Sequence, residues 1–282
     1  MHCNTARQAR SPQRTLVGNF VGSFVDKASD KVSDKDAVEP HGISREDPCA
    51  IAALLERGIV CLPMAPGDPA QRTSGRTLDH VAKVYDLIEP WMMLGMERVI
   101  QREVLQLLAP GNCARVLDVG CGTGTLTRQI AGMLPDRPQS CVVGVDAATA
   151  MIAVANEKAR GVPNIAFAAA LAEELPFADG SFDGAVSTMF FHHINAGLKR
   201  RALNEIWRTL VPGAKAVVVD VAVPTNTFGR LCAWAGYLLF QQAEIRENIE
   251  GKLEEAFDRS RFRQWRTVAH HAGYVSVYEL ER

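Results

Sequence analysis

Long apolar runs are missing from this chain: nothing reaches the about 18 to 20 apolar residues that a bilayer span needs. The best candidate, Leu231 to Phe240, is ten residues long and reads as a buried helix segment. No transmembrane segment is therefore expected. Seven cysteines occur without a Cys-x-x-Cys pair, and seven histidines without a His-Glu-x-x-His pattern or a ligand spacing joined to cysteine. The usual sequence forms of a disulfide framework and a zinc centre are excluded, no metal is implied, and the odd thiol count suits a reducing, cytoplasmic compartment. An excess of one charge is also lacking. With a formal net charge of −1 there is no summed positive field to hold a phosphate backbone, so nucleic acid is not an expected partner. The basic triplet Lys199, Arg200 and Arg201 reads as a solvated helix face. The segment before Asp26 carries Arg7, Arg10 and Arg14 and no acid, but it lacks the apolar core of a secretory signal.

What is present is a chain of 282 residues, 47% apolar, enough for one large core and an extension. Residues 1–76 read as that extension. Up to about residue 45 they show no sustained period, and Asp26 to Asp36 alternates charges. Asp47 to Glu56 has helical spacing and leads into the apolar Gly58 to Leu62, after which Pro63, Pro66, Gly67 and Pro69 mark a linker. From Thr77 onward Leu78, Val81, Ala82, Tyr85 and Ile88 fall on one helical face until Pro90, and a second helix runs from about Gly95 to Leu108. Strands near 115–119, 141–145, 165–169, 183–188 and 215–221 then alternate with helices near 124–133, 148–158 and 196–210. Such alternation predicts a doubly wound parallel α/β sheet, and the near-continuous apolar strands suit a sheet covered on both faces. A helix over Arg261 to His271 and a strand over Tyr274 to Leu280 complete the expectation.

Chemistry concentrates where the first strand empties into glycine: Val116-Leu117-Asp118-Val119-Gly120-Cys121-Gly122-Thr123-Gly124. Glycines there bring bare backbone against a ligand at the start of a helix. The dinucleotide fingerprint G-x-G-x-x-G needs glycine or alanine at its sixth position, which Thr125 occupies, so that reading fails. Instead Asp146 closes the second apolar run, 26 residues after Gly120, where a carboxylate can hold two ribose hydroxyls.

With these residues the chain resembles the class I S-adenosylmethionine-dependent methyltransferases, in the type 11 or UbiE-like small-molecule branch. Leu175-Pro176-Phe177, Ser181-Phe182-Asp183, Phe191-His192-His193-Ile194 and Glu205 to Gly213 are similar to further blocks of that branch, and the likeness runs over about residues 77 to 280. The resemblance implies a Rossmann-like fold with an N-terminal helical lid, S-adenosylmethionine as cofactor and S-adenosylhomocysteine as product. It assigns the methionine end to the backbone of Gly120, Cys121, Gly122 and Gly124 with Asp118 as buttress, the ribose to Asp146 beside Ala147, and an adenine face to Met151, with Ser187 at the end of the fourth strand. Leu171 stands where the family's pattern has an acid for the adenine amino group, which leaves the Leu171 and Ala172 backbone to hold it. The family's last two strands look incomplete here, with Gly58 to Leu62 or Thr15 to Phe24 as candidates to replace the seventh.

The implied activity is methyl transfer to a small, largely apolar acceptor at O, N, S or C: a quinone-like, phenolic, lipid or natural-product molecule. His192 and His193, after the fourth strand, are candidates to take an acceptor proton, Tyr85 to close over the cofactor, and each has a plain structural role as its alternative. The aromatic stretch Phe228 to Phe240 suggests an acceptor pocket. A non-catalytic cofactor-binding protein whose N-terminal extension serves a partner is the second reading. The oligomeric state stays open, a homodimer included.

Overall fold

The computed structural model describes residues 69–73, 75, 82, 93 and 95–282. Its seven strands are β1 (Arg115–Val119), β2 (Cys141–Asp146), β3 (Ile165–Ala169), β4 (Phe182–Thr188), β5 (Leu210–Val221), β6 (Gln264–His271) and β7 (Val275–Glu281). Besides a single helical turn, Pro69–Arg72, the helices are α1 (Glu97–Leu108), α2 (Thr125–Ala131), α3 (Thr149–Lys158), α4 (Ala196–Thr209), α5 (Thr227–Phe240), α6 (Ala243–Ile249) and α7 (Lys252–Asp258). One sheet runs β3-β2-β1-β4-β5-β7-β6, parallel from β3 to β5, with β7 antiparallel to both β5 and β6.

Strand alternation divides the core in two. Leu117, Val119, Val143, Val145 and Val218 point to a layer made by Leu198, Leu203 and Ile206 of α4 and Leu253 and Phe257 of α7. Val116, Val142, Val186, Val217 and Val219 point the other way, onto Ile100 and Val104 of α1, Leu126 and Ile130 of α2, and Ile152 and Ala155 of α3. Each fully buried Val, Leu or Ile contributes about 1.5 to 3 kcal/mol relative to exposure, which is why the central strands are mostly apolar. α4 starts where Asn195 accepts the Leu198 N–H on its side-chain oxygen at 3.1 Å, and α5 is capped in the same way by Asn226 on Gly229 at 2.7 Å.

The expected parallel core is present with its strands and helices close to the anticipated bounds. Two expectations need correction. Residues Gln264–His271 are a strand, not the helix read over Arg261 to His271, so the final pair of strands is complete and β7 fills the place beside β5 with seven paired residues. The physical reason is a β-bulge: Thr267 faces Tyr278 and Ala269 faces Val277, which leaves Val268 as an extra residue and breaks the alternation of an edge strand that is exposed or half-buried throughout. Lys199 is the second correction, since its side chain is fully buried while Arg200 and Arg201 are exposed. The lid helix with Tyr85, and the segments Gly58 to Leu62 and Thr15 to Phe24, lie outside the described residues.

β1 and β4 are neighbours although two strands separate them in sequence, and the chain leaves β1 towards one side and β4 towards the other. Open α/β sheets place their ligands in the crevice beyond the carboxyl ends of the strands at such a switch point.

Candidate functional site

The crevice is formed first by the turn after β1. Gly120, Gly122 and Gly124 have φ of +76°, +54° and +76°, a region that side chains disfavour. They serve different ends. A Cβ on Gly120 would lie 2.6 Å from the Phe190 ring and one on Gly124 2.5 Å from Phe167, so both allow close packing, while a Cβ on Gly122 would meet nothing within 4 Å. The turn is lashed to β2 because the N–H groups of Gly120 and Cys121 both donate to Val145 O, at 2.8 and 3.0 Å.

Asp146, at the end of β2, accepts the Gly122 N–H on Oδ2 at 3.0 Å and the Ala148 N–H on Oδ1 at 2.8 Å. Its carboxylate therefore bridges the glycine turn and the start of α3. Asp118 lies beneath the turn. Thr127 donates to its Oδ2 at 2.6 Å, while its Oδ1 is buried without a hydrogen-bond partner. Burial pushes this carboxyl up to about 7, Thr127 opposing and the charge of Asp146 adding to the rise. The Cys121 thiol is pushed well above its ordinary range, first by burial and then by Asp118 and Asp146, so it is no reactive thiolate.

Around the turn opens a cleft lined by residues from the ends of β1 and β2 and from the segments after β3 and β4. Of the residues singled out in the sequence, Gly120, Gly122, Asp146, Ala147, Met151, Ala172 and His193 line it. Other described ones stand behind the wall. Ser187 donates to Val119 O at 2.8 Å and holds β1 to β4; Gly124 packs on Phe167; Leu171 is buried in a bridge with Glu174, although Ala170 and Ala172 on either side of it face the cleft. No acid replaces the one missing at Leu171, but Glu173, two residues on, does line the cleft.

His192 and His193 belong to a 3-10 turn, Phe191–His193, that follows β4. Their rings lie in contact, centroids 4.0 Å apart, with planes tilted by 44°. His192 is buried, and its Nδ1 lies 2.7 Å from Asp220 Oδ1; His193 faces the cleft. The aromatic helix α5 contributes no lining residue. Trp234, Tyr237 and Phe240 pack on the core below it, and Phe228, Leu231 and Leu238 are 58%, 69% and 64% exposed. His270 and His271 sit on β6, where His270 meets Ser276 Oγ at 2.8 Å and His271 meets Glu103 at 2.7 Å.

Several site residues were not singled out in the sequence. Thr73 and Gly75 line the cleft from the segment read as an extension, and the adjacent Arg72 is ion-paired with Glu174 at 2.7 Å. Only contact at long sequence separation reveals them. Asp220 was also missed, although an acid inside Val217-Val218-Val219-Asp220-Val221 is a signal, because a buried carboxylate demands donors.

Residues 116–213 match the family described as a methyltransferase domain. A demethylmenaquinone methyltransferase of Roseiflexus sp. (strain RS-1) is 32% identical over 171 residues, which span 61% of this chain and 69% of that protein. The ubiquinone/menaquinone biosynthesis C-methyltransferase UbiE of Geobacter sulfurreducens is 32% identical over 149 residues, 52% of this chain and 57% of that protein. The chain thus spans less than two thirds of the length of several curated relatives that it matches. A crystal structure of a SAM-dependent methyltransferase from Aquifex aeolicus superposes with a TM-score of 0.50 at 19% identity, covering 73% of this chain and 99% of that one, a likeness of fold.

Proposed function

This chain belongs to the class I S-adenosylmethionine-dependent methyltransferases, in their UbiE-like branch, and from that premise we propose that it methylates a small, largely apolar acceptor of quinone type. One observation carries the reading: the glycine turn and the Asp146 carboxylate meet in a single cleft that Met189, Phe190, His193 and Ile194 also line. The names of the relatives, which concern quinone substrates, support the acceptor class.

The residues present fit the cofactor. Open space at Gly122 leaves backbone accessible to its methionine end, and Asp146 offers two carboxylate oxygens to ribose hydroxyls. Met151, Ala147, Ala170 and Ala172 offer apolar wall for a flat base. When bound, S-adenosylmethionine supplies a methyl group on a sulfonium, open to in-line displacement. The chain's own residues align the acceptor: the loop after β4 lines the cleft with Met189, Phe190 and Ile194, and His193 stands where it can take the proton that the acceptor loses as its new bond to the methyl carbon forms. A cytoplasmic location fits the free thiols Cys113, Cys121, Cys141 and Cys232, and no described helix is long and apolar enough to cross a membrane. We assign the catalytic unit to about residues 77–282, with Thr73 and Gly75 completing one edge of its cleft.

The test is release of S-adenosylhomocysteine over a panel of quinols, phenols, thiols and amines. Acceptor-dependent release is expected, with Asp146→Ala abolishing it and weakening S-adenosylhomocysteine binding at least about tenfold in calorimetry. Tight cofactor binding with no release on any acceptor would leave a non-catalytic binding protein instead.

A further inference from the structure

Behind the cleft wall lies a buried polar network that methyl transfer itself does not require. Its hub is Asp220, fully buried near the carboxyl end of β5. Oδ2 accepts the N–H groups of Phe191 at 2.6 Å and His192 at 3.3 Å; Oδ1 receives the Val221 N–H at 2.7 Å and Asn248 Nδ2 at 3.3 Å, and faces His192 Nδ1 at 2.7 Å. A carboxylate ringed by donors is an acceptor at each contact, so Nδ1 of His192 carries its hydrogen and the ring is held as one tautomer. His192 is thereby committed inward. The ring that reaches the cleft is its neighbour, His193, tilted against it.

The same wall is tied at a second point. Lys199, buried on α4, donates from Nζ to Ile194 O at 2.5 Å and to Glu247 Oε2 at 3.0 Å, and Ile194 lines the cleft. Burial lowers the ammonium's pKa, and the charges of Glu247, Asp220 and Glu244 oppose that drop. Glu247 and Asn248 are consecutive residues of α6, the helix that follows the aromatic α5. Asn248 also donates to Val221 O at 3.0 Å. Movement of α6 would therefore be felt at both His192 and Ile194.

We propose that Asp220 is the positioning residue of this site. It fixes the 191–193 turn and the tautomer of His192, so that His193 alone of the pair faces the methyl acceptor, and Asn248 and Lys199 couple that wall to α6. The part that concerns the acceptor rests on the methyl-transfer reading; the part that concerns the two rings does not.

Imidazole 15N spectra of the cofactor-free chain test the ring assignment. His192 is expected as the Nδ1–H tautomer; in Asp220→Asn that pattern is lost and the His193 resonances shift. On an acceptor found with the panel, kcat in Asp220→Asn falls about 10- to 100-fold, while S-adenosylhomocysteine affinity stays within about threefold. Asn248→Ala, which removes one donor and leaves the carboxylate, gives a smaller change in the same direction and replaces Asp220→Asn should that variant not fold. An Nε2–H tautomer at His192 overturns the proposal. So do unchanged kcat and His193 resonances in the variants, or equal losses of kcat and cofactor affinity, the mark of a merely structural residue. If no acceptor is turned over while S-adenosylhomocysteine binds, the methyl-transfer reading fails and the two ring spectra alone decide the role of Asp220.

Discussion

Asp118 shows how a single side chain can set a cost within a stable core. Its carboxyl titrates near 3.8 in an unfolded chain and is pushed up to about 7 by burial in the native one. Between those values the native state holds a proton that the unfolded state has lost, so stability falls as pH rises from about 4 to about 7, by on the order of 4 kcal/mol from this group. Asp118→Asn keeps an acceptor for the Thr127 hydroxyl and removes the titration. Its melting temperature relative to the parent should climb steadily across that window; a constant difference at each pH would show that the buried carboxyl does not titrate there. Legibility at this scale is uneven for a physical reason. Gly120, Gly122 and Asp146 act through backbone and spacing, which a sequence displays directly. The place of Asp220 inside an apolar run signals a buried acid, but its donors at His192 and Asn248 lie 28 residues away on either side, and the sequence does not name them. Lys199 could have been found: with Ala202, Leu203 and Ile206 it occupies the i, i+3, i+4, i+7 face that α4 buries.

Elements were legible in proportion to how fully they are buried. β1 to β5 and α2 to α4 follow from apolar runs and 3.6-residue spacing because the core dictates each position. β6 was not, since an edge strand with one face open and a bulge at Val268 owes its form to β7 and not to its own pattern. The docking of α5 likewise depends on a contact that only the fold reveals. A Cβ on Gly229 would sit 2.0 Å from Gly273 O, backbone that is itself bonded to the Thr225 N–H at 2.9 Å and cannot easily give way. Gly229→Ala should therefore push α5 off the β6–β7 turn and lower stability by about 2 to 4 kcal/mol in denaturant unfolding, where an exposed helical glycine would gain from alanine. Because α5 does not line the cleft, S-adenosylhomocysteine affinity should change by less than about threefold.

At the scale of the whole molecule, the cleft joins parts that lie apart in sequence: the turn after β1, the end of β2, the segment after β3, the loop after β4, and Thr73 with Gly75 from before the sheet. A ligand that bridges these parts binds the native chain and has no site on the unfolded one, so it stabilises the molecule by mass action. At one hundred times its Kd the gain is about 2.7 kcal/mol, which for a domain of this size raises the melting temperature by about 5 to 10 °C. S-adenosylhomocysteine should produce that shift, and Asp146→Ala should remove it. NADH should produce none, because the turn carries Thr125 where close dinucleotide packing needs glycine. A shift with NADH and none with S-adenosylhomocysteine would reverse the choice between the two cofactors that the glycine turn alone leaves open.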